Sequence, residues 1–162
     1  ARNRIYNCAR GIGIGLTATV YGTEVINNTV FSEFAGSGEH DVGITMDRAV
    51  DSVVAHNTVL FTDPQAYPNG IEFRWSETSN LEVYGNLTNQ TIKDRDGALA
   101  GTTVSQNSED AESSWFVDGA SGDLHLADCS GLTPIAPHAD VTDDMDGETR
   151  ADPTAPGADE CP

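Results

Sequence analysis

An asparagine-centred pattern recurs along the chain and decides the fold. Its copies read Ile5-Tyr6-Asn7-Cys8, Val25-Ile26-Asn27-Asn28-Thr29-Val30, Val54-Ala55-His56-Asn57-Thr58-Val59, Val83-Tyr84-Gly85-Asn86-Leu87-Thr88 and Val104-Ser105-Gln106-Asn107. They start at residues 5, 25, 54, 83 and 104, which are 20, 29, 29 and 21 residues apart. A repeat of this length is typical of a solenoid, in which each coil buries its apolar face only against its neighbours.

A second pattern alternates with the first. Its copies are Gly13-Ile14-Gly15-Leu16, Gly43-Ile44-Thr45-Met46, Gly70-Ile71-Glu72-Phe73 and a weaker Thr91-Ile92-Lys93-Asp94. Each alternates apolar with small or polar residues, which is the period of a half-buried strand. No window carries apolar residues at helical spacing over three turns, so we predict an all-β protein. A β-sandwich would not explain the regular asparagine spacing.

The recurrent asparagine predicts a ladder. At a coil corner an Asn adopts a left-handed or bridging conformation at low cost, and its amide can hydrogen-bond to the Asn of the next coil. We therefore expect a structural ladder in which Cys8 replaces the amide at the N-terminal end. Its rungs are Asn28, Asn57, Asn86 and Asn107.

The repeats resemble those of a known superfamily. The phrases VINNTVF, VVAHNTVLF and NLTNQTIKDRDG are similar to repeats of right-handed parallel β-helix, or pectate-lyase-like, proteins. The segment from SGDLHL through DMDGETR to PGADE resembles the C-terminal tail of many secreted bacterial β-helix proteins. The resemblance implies a right-handed parallel β-helix of about five coils and an extracellular, bacterial location. It does not specify the activity, because this fold carries lyases, hydrolases, epimerases and adhesins.

The two ends of the chain differ in composition. We expect coils over residues 1–117 and an irregular tail rich in Pro, Gly and Asp over 118–162, which caps the C-terminal end of the solenoid against edge pairing. The expected anchors of this tail are Phe116, Leu124, Leu126, Leu132 and Ile135. The first coil lacks a comparable cap, which favours a fragment of a longer protein. The alternative is a partner on that coil, including self-association.

Charge and cysteine content limit the partners. The formal net charge is −18, with 26 acidic residues against 8 basic ones. Nucleic acids and anionic membranes would be repelled, so we expect neither as a partner. No apolar run is long enough to span a membrane. A disulfide between Cys129 and Cys161 would suit an oxidising compartment, whereas Cys8 is expected to be buried.

Aligning the second pattern brings basic side chains together. One column reads Gly15, Thr45, Glu72 and Lys93, and the column two positions on reads Thr17, Asp47, Arg74 and Arg95. Neighbouring coils lie about 4.8 Å apart, so these columns predict one compact patch. Tyr67 and Trp75 lie close by in sequence and could stack on a sugar ring, so we assign them with Glu72 to substrate binding.

This patch contains the residue types that a uronate lyase requires. Lys93 could remove the proton beside a substrate carboxylate, and Arg74 or Arg95 could hold that carboxylate. We therefore name Lys93, Arg74 and Arg95 as candidate catalytic residues. The arrangement is similar to the Lys/Arg pair of the chondroitinase B and alginate lyase family, whose full motif is not matched. The alternative is a solvated ladder of ion pairs, Glu72 with Lys93 and Asp47 with Arg74.

The acidic run in the tail suggests calcium as a cofactor. Asp143, Asp144 and Asp146 could supply carboxylate oxygens to Ca²⁺, although the run fails the EF-hand pattern and also fits a solvated turn. Our hypothesis is a secreted domain that contacts an acidic polysaccharide and is a candidate part of a polysaccharide lyase. The alternative is a non-catalytic structural or adhesive solenoid that calcium stabilises.

Overall fold

The computed structural model describes residues 1–65, 67–96 and 100–162, and this part of the chain is nearly all β-structure. A single 3₁₀ turn, Ser113–Trp115, is the one helical element in the described ranges. The strands are β1 (Arg4–Tyr6), β2 (Arg10–Ile14), β3 (Val20–Tyr21), β4 (Glu24–Ile26), β5 (Thr29–Ser32), β6 (Val42–Met46), β7 (Ala49–Ala55), β8 (Thr58–Phe61), β9 (Asn69–Phe73), β10 (Ser79–Tyr84), β11 (Leu87–Thr88), β12 (Ile92–Asp94), β13 (Thr103–Ser105), β14 (Phe116–Asp118) and β15 (Asp123–Leu126).

Three parallel sheets contain the first thirteen strands. The first sheet has the order β1-β5-β8-β11, the second β12-β9-β6-β2, and the third β13-β10-β7-β3 with β4 also paired to β7. In the first sheet Thr29 pairs with Thr58 and Thr58 with Leu87, so the register repeats the 29-residue period of the sequence. The all-β class and parallel pairing of the prediction are confirmed.

Apolar alternation explains the central core. Ile44 and Met46 on β6, and Ile71 and Phe73 on β9, are buried in one cluster with the valines of the other two sheets. Alternate residues of a strand point to opposite faces, so Thr45 and Glu72 face away from this cluster. The polar side chains between the core residues therefore belong to the outer surface of the second sheet.

The asparagines of the repeat form hydrogen bonds in series. Asn28 donates from its backbone N–H and its Nδ2 to Oδ1 of Asn57, at 3.0 and 2.8 Å. Asn57 donates in the same way to Asn86 at 3.0 and 2.9 Å, and Asn86 to Asn107 at 2.8 and 2.9 Å. Each rung thus satisfies the buried amides of its neighbour.

The ladder differs from the prediction at its N-terminal end. Asn3 donates from N and Nδ2 to Oδ1 of Asn28, at 3.0 and 2.9 Å, and occupies the position assigned to Cys8. Cys8 is an exposed free thiol, so its expected burial is also wrong. The repeat copy that starts at Ile5 begins in β1, where Ile5 pairs with Val30 of the first sheet and not with Val25.

The tail packs on the outer face of the first sheet. Phe31, Leu60 and Leu87 point away from the central core into a second apolar cluster with Phe116 and Leu124. Leu126 belongs to the same cluster, Leu132 and Cys161 pack against it, and Ile135 is buried. The predicted anchors are therefore buried or partly buried, along one side of the stack.

The tail runs back along the repeats. It reaches the first strands, where Tyr6 donates to the carbonyl of Gly122 and Arg2 pairs with Asp143. All three residues of β13, Thr103–Ser105, are exposed, and the cap over the last coil stays a prediction. Cys129 and Cys161 are joined by a disulfide, which ties the start of the tail to its end.

Candidate functional site

The outer face of the second sheet carries one column of predicted site residues. Thr45 on β6 pairs with Glu72 on β9, and Glu72 pairs with Lys93 on β12. Gly13 lies opposite Thr45 on β2, so the predicted register of the first coil, which placed Gly15 there, is wrong by two residues. Apart from that coil, the column has the predicted register.

A second column follows directly after the strand ends. The N–H of Asp47 donates to Ile14 O, that of Arg74 to Met46 O, and that of Arg95 to Phe73 O, at 2.9, 3.2 and 3.0 Å. Asp47, Arg74 and Arg95 therefore follow one another across the sheet. The two columns bring Glu72, Arg95 and Asp47 to one surface.

Glu72 is the buried centre of this surface. It is only 3% exposed, and its two carboxylate oxygens accept from different donors. Nδ2 of Asn69 donates to Oε2 at 2.8 Å, and Nη1 of Arg95 donates to Oε1 at 3.1 Å. A buried carboxylate needs such partners, because removal from water disfavours its ionised form.

Arg10, Asp41 and Tyr67 form a group beside the first residues of the strands, here called the start cluster. Nε of Arg10 donates to Oδ2 of Asp41 at 3.0 Å, and the hydroxyl of Tyr67 donates to Oδ1 at 2.6 Å. Burial opposes ionisation of Asp41, but the bonds from Tyr67 and Arg10 outweigh it and lower the pKa of this carboxyl. The same bond to Asp41, with burial, raises the pKa of Tyr67.

Arg48, Arg74 and Trp75 form a group beyond the last residues of the strands, here called the end cluster. The guanidinium carbons of Arg74 and Arg48 lie 4.1 and 5.1 Å from the ring centroid of Trp75. Arg48 Nε lies 3.6 Å from Glu77 Oε1. Such cation–π geometry positions both cations against an aromatic face.

The predicted ion-pair ladder has different partners. Glu72 pairs with Arg95, whereas Lys93 is exposed and makes no hydrogen bond or ion pair with the described residues. Asp47 accepts from the hydroxyl of Thr45 at 2.9 Å, and the nearest acidic oxygen to Arg74 is Asp96 Oδ2, 4.0 Å from Nε. The expected pairs Glu72–Lys93 and Asp47–Arg74 are therefore wrong.

The three tail carboxylates considered for calcium have separate partners. Asp143 pairs with Arg2, and Asp146 Oδ1 accepts from Arg4 at 3.0 Å. Asp144 is buried, and its Oδ1 accepts from the N–H groups of Asp146 and Glu148 at 2.9 Å. Within the described ranges no group of three or more His, Cys, Asp or Glu side chains is arranged to hold a metal ion. Calcium binding here stays a prediction.

Sequence reasoning missed Arg10, Asp41, Asn69 and Arg48. Arg10 and Asp41 each lie at or just before a strand start, so their link to Tyr67 depends on the register between strands. Asn69 lies three residues before Glu72, on the same strand, and this spacing could have indicated its role. Arg48 follows Asp47 and could have been found by extending the second column by one residue.

In the part of the chain that the structure describes, no helix has the length and apolar character needed to cross a membrane.

Comparison of the chain with protein-family models, with curated proteins and with solved structures found no match.

Proposed function

We propose that the protein is a secreted right-handed parallel β-helix domain whose second sheet binds an acidic polysaccharide. The three parallel sheets support this architecture, because each strand pairs with the equivalent strand one repeat away. The disulfide between Cys129 and Cys161 supports secretion, since such bonds persist in oxidising compartments.

The distribution of cations carries the proposal. Among the 8 basic residues of a chain with net charge −18, Arg2, Arg4 and Arg150 contact the tail. The other basic residues lie on the second sheet or directly beside it: Arg10, Arg48, Arg74, Lys93 and Arg95. Cationic side chains beside Tyr67 and Trp75 suit a ligand that combines carboxylate or sulfate groups with sugar rings.

Binding uses the groups that the protein leaves available. Lys93 is exposed, and among the described residues Arg74 is engaged by Trp75 and, at 4.0 Å, by Asp96. Both can contact a ligand carboxylate without breaking a strong internal pair. Arg95 already neutralises Glu72, so we assign it to holding this carboxylate beside the ligand.

If the bound polysaccharide is also cleaved, the same surface acts as a polysaccharide lyase. Proton removal beside a uronate carboxylate needs a base, and cationic groups must stabilise the enolate that develops. Lys93 is the candidate base, and Arg74 the group that holds the carboxylate. The non-catalytic alternative keeps the same surface for binding or adhesion, with calcium contributing to stability.

Binding tests the proposal first. We would titrate the protein with alginate, pectate and chondroitin sulfate, using neutral dextran as control, and measure affinity by calorimetry. We expect Lys93→Ala and Arg74→Ala to weaken binding without a change in melting temperature. Arg4→Ala removes one positive charge from the first sheet, where Arg4 contacts the tail, and should bind normally. Equal losses in all three variants would reject this sheet as the binding surface.

Two further measurements test lyase activity and calcium-dependent stability separately. Unsaturated uronate ends absorb ultraviolet light, so rising absorbance with any polymer establishes β-elimination, and Lys93→Ala should abolish it. Binding without absorbance establishes the non-catalytic form. A melting temperature that falls with chelator supports the calcium role, whereas an unchanged one removes it.

A further inference from the structure

The two aromatic candidates lie at opposite ends of one strand. Tyr67 precedes β9 (Asn69–Phe73) by two residues, and Trp75 follows it by two. Five strand residues span about 16 Å, so the rings lie on opposite sides of the sheet along the strand direction. Lys93 and Glu72 occupy the column between them.

Among the described residues, the positive charge of Arg74 in the end cluster is only weakly neutralised. Nε of Arg74 is buried without a hydrogen-bond acceptor among the described residues, and Asp96 at 4.0 Å is beyond hydrogen-bond distance. Arginine fork groups bind carboxylates and sulfates through paired N–H donors. The cluster therefore combines two cations with an aromatic ring that is 36% exposed.

The backbone at Trp75 is held in one conformation by a hydrogen bond. Its φ of 70° lies in the left-handed region, which bulky side chains rarely adopt. Oδ2 of Asp96 accepts from its N–H at 2.6 Å and holds this conformation.

We propose that Arg48 and Trp75 of the end cluster extend the Arg74 site into a second subsite, for the acidic group of a neighbouring sugar that stacks on Trp75. The polymer then crosses the sheet parallel to the strands, from Tyr67 over Lys93 to Trp75, rather than running along the stack. This inference rests on the proposed function and adds a direction and a minimum ligand length to it.

Affinity as a function of ligand length tests the inference. We would titrate the protein with oligouronates from dimers to octamers. Affinity should rise once an oligomer spans from Tyr67 to Trp75. Trp75→Ala should lower octamer affinity roughly tenfold, equal to about 1.4 kcal/mol, and leave dimers unaffected. Trp75→Phe should keep most of the affinity, because an aromatic face remains.

Charge at the end cluster is tested separately. Arg48→Ala should weaken octauronate binding but not binding of the carboxyl-reduced octamer. Melting curves of each variant verify folding. Affinity independent of length, or an equal effect of Trp75→Ala on dimers and octamers, would overturn the inference while leaving the proposed function standing. Absence of binding by every acidic oligomer would instead refute the proposed function.

Discussion

At the residue scale, the corner of each repeat depends on the residue before the ladder asparagine. Arg2, Asn27, His56, Gly85 and Gln106 have φ values of 55, 53, 51, 61 and 59°. Each precedes a rung, so the left-handed conformation expected of the rung itself belongs to its neighbour. Gly85 fits most easily because it lacks a Cβ, and Asn is the next most tolerant type.

Replacing one central rung should destabilise the fold strongly. Asn57 accepts from two groups of Asn28 and donates to the carbonyl of Val25 at 2.8 Å, all out of water. Asn57→Ala leaves these partners unsatisfied, at about 1–3 kcal/mol for each buried group. We expect a loss of at least about 2 kcal/mol in the free energy of unfolding, measured with denaturant. Asn107→Ala, at the partly exposed end, should cost less, and equal losses would contradict this account.

His56 should make stability depend on pH. Burial, with the positive charge of Arg150 and nearby His138, lowers its pKa from 6.5 to about 3. The unfolded chain therefore binds more protons than the folded one between pH 6.5 and 3. The contribution of His56 is fully present above pH 6.5 and falls by about 1.4 kcal/mol for each unit of pH below it.

His56→Asn isolates this effect. Asparagine occupies the equivalent position at Asn27 with a φ of 53°, so the substitution suits the backbone and removes the titrating group. Denaturant unfolding at several pH values between 6.5 and 5 should show a shallower slope for the variant than for the wild type. Identical slopes would mean that other groups cause the pH dependence.

At the element scale, one buried arginine holds the tail against the repeats. Nη2 of Arg150 donates to Oδ1 of Asn27 at 2.9 Å, across 123 residues of sequence, and to the carbonyl of Gly157 at 2.8 Å. Its Nε donates to Asp143 O at 3.2 Å, and Nη1 lies 3.7 Å from Glu160. The guanidinium therefore joins several tail segments to one corner of the first sheet.

Loss of Arg150 should loosen the tail. Arg150→Ala removes one partner of a buried ion pair, which costs about 3–5 kcal/mol. Arg150→Lys keeps the charge but cannot reproduce the planar set of donors, so it should also destabilise. Arg4→Ala removes an exposed pair with Asp146 and should cost less than about 1 kcal/mol. Proteolysis of residues 118–162 and the melting temperature measure both effects, and equal losses for Arg150→Ala and Arg4→Ala would contradict the assignment.

At the scale of the whole molecule, acidic residues exceed basic ones by 18. Such an excess keeps a protein soluble but destabilises its compact state through self-repulsion. Counter-ions screen this repulsion over about 8 Å at physiological ionic strength.

Stability should therefore rise with salt. We expect a higher melting temperature at about 0.15 M NaCl than at about 0.01 M, because screening of the net charge outweighs the loss from exposed ion pairs. Choline chloride at the same ionic strength should act alike if the effect is general screening. A melting temperature that falls with either salt would show that attractive pairs dominate.

The sequence by itself determined the all-β class, the parallel pairing at a 29-residue step and four ladder asparagines, Asn28, Asn57, Asn86 and Asn107. It could do so because one repeated pattern specifies the same local structure and contacts in every copy. The first copy of the second pattern shows where this reasoning fails. Gly13, not Gly15, lies opposite Thr45, since the loops that flank β2 differ in length from those that flank β6.

Only the tertiary structure decided how the charges pair and where the tail lies. Strand register placed Lys93 opposite Glu72, yet the guanidinium of Arg95 reaches the carboxylate instead. The start cluster likewise depends on Asp41 and Tyr67, which are 26 residues apart and lie outside the strands. The apolar residues of the tail predicted that it packs against the repeats. They did not specify which apolar face it covers, because the hydrophobic effect is not directional. Phe31, Leu60 and Leu87 form the face that the tail covers. This depends on which face of the first sheet each side chain occupies, and strand pairing determines that.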